Sequence, residues 1–83
     1  MTVAQIKMYG TTWCPDTKRA RIFLENHSVP YMWYDIDHDN EARAFVEKTN
    51  QGQRRVPTIV FPDGSILVEP SDSELEKRLA EGK

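Results

Sequence analysis

The segment Trp13-Cys14-Pro15-Asp16-Thr17 constrains this chain most, because it joins a strand pattern to a helix pattern and carries the only cysteine. Val3 to Tyr9 alternates in character as a short strand does, and Gly10-Thr11-Thr12 breaks it. Pro15 then suits the first position of an amphipathic helix, where its missing N–H is no loss. Cys14 therefore falls at a helix N-terminus. Backbone N–H groups without intrahelical partners and the positive end of the helix dipole meet there, and both favour an anion such as a thiolate. The rest of the chain must build a core without help from sulfur, since one cysteine closes no internal disulfide and a disulfide-stapled secreted scaffold is excluded. With 83 residues, 39% of them hydrophobic, one small core is what the composition supports, and a single domain over residues 1–83 is expected.

The periodicities give the other elements. A helix from about Pro15 to Asn26 carries Ala20, Phe23, Leu24 and His27 on one face, and Ser28-Val29-Pro30 ends it. Tyr31 to Ile36, rich in aromatic and β-branched residues, predicts a second strand, after which Asp39 or Asn40 suits the cap of a second helix. That helix repeats the spacing with Ala42, Phe45, Val46 and Thr49, and Asn50-Gln51-Gly52 closes it. Val56 to Phe61 and Ile66-Leu67-Val68 predict an antiparallel hairpin around the turn-forming Pro62-Asp63-Gly64-Ser65. Ser71-Asp72-Ser73-Glu74 is a capping box for a last helix with Leu75 and Leu79 inward. The order is βαβαββα: an α/β fold whose first two strands pair in parallel through a right-handed crossover, giving a four-stranded mixed sheet with three flanking helices.

Charge and composition narrow the function. The net charge is −2 with both signs interspersed, which argues against nucleic acid or an anionic membrane as partner. No apolar run approaches the roughly 20 residues that span a bilayer, and the first residues lack the charged and apolar regions of a signal peptide. A cytoplasmic monomer is the expectation. His27 and His38, with one cysteine, are too few and too badly spaced for a tetrahedral zinc site, so no metal ligand is assigned.

Four short motifs now stand in order: Tyr9-Gly10-Thr11-Thr12-Trp13-Cys14-Pro15, Tyr34-Asp35-Ile36-Asp37, Arg55-Val56-Pro57-Thr58 and Asp63-Gly64. Together with the element order they resemble the thioredoxin fold in the short form of the glutaredoxins, over nearly the whole chain. Within that family the chain is most similar to the actinobacterial mycoredoxin-like branch, which also has a Trp before the cysteine, a Val-Pro-Thr segment and an Asn-Pro-Ser-like turn where Glu69-Pro70-Ser71 stands here. The resemblance implies a thiol–disulfide oxidoreductase with Cys14 as nucleophile and a cis Val56–Pro57 bond beside it. The Val56 backbone would dock an extended disulfide or thiol as an added strand does. Proline is the residue that adopts a cis bond at modest cost, about 0.5–1 kcal/mol; a trans proline opening an edge strand is the bland alternative.

Departures from the family pattern set the mechanism. Dithiol members have a second cysteine where this chain has Thr17, so a mixed disulfide on Cys14 must be released by an external thiol. The Cys-Gly-Phe-Ser sequence of iron–sulfur-carrying monothiol members is absent. A [2Fe–2S] cluster bridged by two chains and two external thiols, or a partner-binding module without turnover, are the alternatives to catalysis. The paired glycines with which many members hold glutathione are also absent, and Ser71 and Asp72 occupy that region. The identity of the small thiol is therefore open; the resemblance implies a low-molecular-weight thiol co-substrate (glutathione, mycothiol or similar), with oxidised or thiolated proteins as partners and no tightly bound cofactor.

The side chains around Cys14 each admit two readings. The Thr17 hydroxyl, one turn on, either donates to a thiolate or bonds back to the preceding turn. Trp13 either shapes the site or is simply packed. Asp16 complements the helix dipole but repels a thiolate, which Lys18 and Arg19 would offset. Arg54 and Arg55 either hold a carboxylate of a peptide-like thiol or belong to a solvated loop. Catalysis is assigned to Cys14 and Thr17, and substrate binding to Trp13, Pro15, Arg55, Val56, Pro57, Ser71 and Asp72.

Overall fold

Hydrophobic alternation places Ile6 and Met8 on one side of the first strand and Tyr9 on the other, and the computed structural model, which describes residues 5–81, covers both sides with helices. The elements are β1 (Ile6–Gly10), α1 (Pro15–Asn26), β2 (Tyr31–Asp35), α2 (Asn40–Thr49), β3 (Thr58–Val60), β4 (Ile66–Val68) and α3 (Asp72–Glu81). This is the expected βαβαββα order. Val3 and Ala4 of the expected first strand lie outside the described residues, and β1 runs on to Gly10.

The sheet order is β2-β1-β3-β4. β1 is parallel to β2, with Ile6 opposite Tyr31 and Gly10 opposite Asp35. β3 is antiparallel to β1 and β4 antiparallel to β3. β3 is shorter than the expected Val56 to Phe61 because Pro57 offers no N–H to a ladder; its carbonyl instead accepts from the Glu69 N–H at 2.9 Å.

On one face Ile6, Met8, Ile59 and Phe61 pack with Ala20, Phe23 and Leu24 of α1 and Leu75 of α3. On the other, Tyr9 and Ile36 pack with Ala42 and Val46 of α2. Met8, Leu24, Val46, Ile59 and Leu75 are fully buried, each removal from water stabilising the fold by roughly 1.5–3 kcal/mol.

The helix ends follow their local chemistry. Asp39, not Asn40, caps α2, its carboxylate accepting from the Ala42 N–H at 3.0 Å. Asn50 closes that helix from inside, donating through Nδ2 to the Val46 carbonyl at 2.8 Å and the Thr58 hydroxyl at 3.3 Å. The capping box forms as expected: the Ser71 N–H donates to Glu74 Oε1 at 2.9 Å, and the Glu74 N–H donates to Ser71 Oγ at 3.2 Å. His27, expected on the inward face of α1, is instead its exposed end residue, with Nδ1 2.8 Å from the Phe23 carbonyl and its ring stacked on Phe23.

Candidate active site

The break after β1 delivers Cys14 as the N-cap residue of α1, in extended conformation at φ −79° and ψ 121°. Its carbonyl accepts the first helical bond, from the Lys18 N–H at 3.0 Å. Pro15 follows with no N–H, so the Asp16 and Thr17 N–H groups are the first free donors of the helix. Cys14 is half-buried, and its Sγ lies 3.9 Å from the Val56 carbonyl oxygen. The Val56–Pro57 bond is cis. Thr58 fixes this loop by donating its hydroxyl to the Arg55 carbonyl at 2.7 Å.

Thr17 meets neither expectation. Its side chain is fully buried, and its hydroxyl has no protein partner: it bonds neither the Cys14 sulfur nor a carbonyl of the turn before it. The reason is its position on the inward face of α1, pressed against the end of β1. A Cβ placed on Gly10 would lie 2.5 Å from Thr17 Cγ2 and 2.8 Å from its hydroxyl oxygen. Glycine at position 10 is what lets the helix approach the strand this closely.

Trp13 is not packed. It is 72% exposed, and its Nε1–H donates to Asp37 Oδ2 at 2.8 Å. Asp37 stood in the family-like Tyr34-Asp35-Ile36-Asp37 motif with no role assigned, although the parallel pairing of β1 with β2 held the signal: with Gly10 opposite Asp35, residues just past one strand end must neighbour those just past the other.

The charged side chains are largely paired. Asp16 bonds to Arg19 at 2.8 Å, Arg54 to Glu47 at 2.7 Å. Arg55 reaches Gln53 at 2.8 Å through Nε and Glu69 at 3.7 Å through Nη1. Neither arginine is simply solvated. Glu69 adopts φ +50°, a conformation rare for a residue with a side chain, held by its N–H bond to Pro57. Asp35 has its carboxyl below the ordinary range, chiefly through its hydrogen bond with His38. Asp72 shares with Pro15 and Lys18 the wall of a groove of about 610 Å³ between α1 and α3, whereas Ser71 is engaged in the capping box. The structure thus brings Cys14, Pro15, Val56 and Asp72 to one end of the sheet, with Trp13 at the rim and Thr17 beneath. Among the described residues no three His, Cys, Asp or Glu side chains converge as metal ligands.

A half-buried thiol at a helix N-terminus beside a cis-proline loop defines a thioredoxin-fold thiol site. A family model described as glutaredoxin matches residues 6–66. A Mycobacterium tuberculosis protein bearing a glutaredoxin name is 38% identical over 79 residues, covering 95% of this chain and 94% of its own. Mycoredoxin 1 of Corynebacterium glutamicum is 32% identical over 73 residues, covering 88% and 90%. The crystal structure of a glutaredoxin from Archaeoglobus fulgidus matches with a TM-score of 0.71 and 28% identity, covering 89% of this chain and 84% of that one. The chain belongs to the glutaredoxin family, and its single cysteine makes it a monothiol member.

Proposed function

We propose that Cys14 exchanges disulfides by the monothiol route with a neutral, hydroxyl-bearing small thiol of the mycothiol type. The Cys14 thiolate attacks the small-thiol sulfur of a mixed disulfide. A Cys14–small-thiol disulfide forms, and the protein sulfur leaves as a thiolate and takes up a proton. A second small thiol, deprotonated, then attacks the small-thiol sulfur of that disulfide, releasing the Cys14 thiolate and the oxidised small thiol. The α1 N-terminus favours Cys14 as the attacking and leaving thiolate, and Thr17, buried with its hydroxyl unpartnered, is the proposed donor to it. The Val56 backbone, with Arg55 and Pro57, aligns the substrate, while Trp13, Pro15, Ser71 and Asp72 bound the small thiol. In this reading the protein is a cytoplasmic monomer of one domain acting on oxidised or thiolated proteins.

The observation that carries the reading is the Cys14 sulfur at the helix N-terminus, 3.9 Å from the Val56 carbonyl. The preference among thiols rests on charge. Glutathione brings two carboxylates, but Arg54 is bonded to Glu47, the Glu69 carboxylate lies 3.7 Å from Arg55, and Asp72 adds another carboxylate to the rim. A neutral polyol thiol avoids that repulsion, and similarity to a protein named mycoredoxin supports it. The test is turnover of a peptide–small-thiol mixed disulfide in excess small thiol. The mycothiol disulfide should turn over about tenfold faster than the glutathione one, a difference of roughly 1.4 kcal/mol in the barrier. Cys14→Ser should abolish both activities, because a serine hydroxyl is far less nucleophilic at neutral pH. No turnover with either, while Cys14 is readily alkylated, would favour a partner-binding module.

A further inference from the structure

Trp13 is the most exposed large apolar side chain among the described residues. It forgoes the burial that aromatic side chains ordinarily obtain, yet it is tethered. Its Nε1–H donates to Asp37 Oδ2 at 2.8 Å, a bond between residues 24 apart in sequence. The acceptor is itself oriented: the Asp37 N–H donates to Asp35 Oδ1 at 2.9 Å, and the other Asp35 oxygen lies 3.0 Å from His38 Nδ1. Between them Ile36 is buried in the core and its N–H donates to the Gly10 carbonyl at 3.0 Å. A continuous set of bonds therefore runs from the sheet to an indole that immediately precedes the nucleophile.

We propose that Asp37 is a positioning residue for thiol exchange. It holds the indole of Trp13, the residue before Cys14, as a fixed wall at the rim of the site, and the group carrying the attacked disulfide packs against that wall. The assignment rests on Cys14 being the nucleophile. Exchange is sensitive to alignment of the attacking sulfur with the bond it breaks, and a wall fixed before binding removes misaligned poses at no cost in ordering. Asp37 touches neither sulfur and acts through Trp13. Its hydrogen bond, not its charge, is what matters, since a carboxylate near a thiolate only repels it.

The full chain and a cysteine-containing peptide disulfide-bonded to mycothiol or glutathione test this. Asp37→Ala should raise KM roughly three- to tenfold, the size expected when one large side chain must be ordered on binding instead of before it, with a smaller fall in kcat. The Trp13 indole N–H proton resonance should shift and exchange faster with solvent. Asp37→Asn removes the charge but keeps an oxygen acceptor, and should recover most of the KM and the indole signal. Trp13→Ala should raise KM by a similar factor, with Asp37→Ala adding nothing to it. The assignment is overturned if Asp37→Ala loses the indole bond with KM unchanged, if Asp37→Asn behaves as Asp37→Ala does, or if the two changes add. Absent wild-type turnover overturns the oxidoreductase reading and this assignment with it, whereas wild-type turnover with any of the three preceding results overturns the assignment alone.

Discussion

The two ends of the sheet treat their polar groups in opposite ways. At the Pro62–Ser65 turn, Arg78 from α3 donates to Ser65 Oγ at 2.7 Å and Asp63 Oδ2 at 2.6 Å, and its guanidinium covers the Phe61 ring 4.6 Å from the centroid. Ser65 in turn donates to Asp63 through its N–H and its hydroxyl. At the Cys14 end the Thr17 hydroxyl is buried without a partner, the Arg55–Glu69 pair is long at 3.7 Å, and an indole stands in water. One end is saturated and serves stability. The other leaves donors and surfaces free for a substrate, as binding regions do. Changes at the Cys14 end should therefore move stability and activity separately, and changes at the turn should move stability alone.

The largest stability effect is expected from Gly10→Ala at the Cys14 end, because the added methyl meets Thr17 at 2.5 Å. The overpacking should cost about 2 kcal/mol in chemical denaturation. Thr17→Ala in the same chain should restore most of it, since the clash belongs to that pair. Additive losses would show that the strand, not Thr17, sets the limit.

Thr17→Val gives the sharper separation. Replacing an unpartnered buried hydroxyl with a methyl should stabilise by about 1 kcal/mol, and turnover should fall several-fold if the hydroxyl serves the thiolate. Stability and rate rising together would remove Thr17 from the catalytic set.

At the opposite end, Arg78→Ala should lower the thermal midpoint by roughly 4–8 °C, the shift that accompanies about 1 kcal/mol in a domain this small, with turnover within twofold of wild type. A large loss of turnover would break the contrast between the ends. The acid limb of stability should survive this change. Asp63 has its carboxyl below the ordinary range mainly through the Ser65 hydroxyl and N–H, with Arg78 contributing less. A depressed folded-state pKa gives stability that is present above the unfolded value of about 3.9 and lost as pH falls through the folded one. Asp63→Asn, not Arg78→Ala, should flatten that limb.

What depends on neighbours a few residues apart was legible in the amino-acid order alone. Pro15 after Cys14 starts a helix, Ser71 and Glu74 cap one, and apolar spacing at 3.6 and 2 residues assigns the inward faces, because these are interactions within one turn or one pleat. The family-like motifs placed Cys14 and Val56-Pro57 at one site, and in the fold the sulfur lies 3.9 Å from the Val56 carbonyl. Which of two readings each side chain follows depends on how the elements pack. Thr17 turns inward because α1 lies close enough to β1 to require Gly10, and Trp13 turns outward because β2 ends where Asp37 can accept its N–H. Arg54 and Arg55 find Glu47 and Glu69. Each outcome is set by an approach between separate elements of the fold, where distances of a few tenths of an ångström separate a bond from a clash and no pattern within one turn or pleat records them.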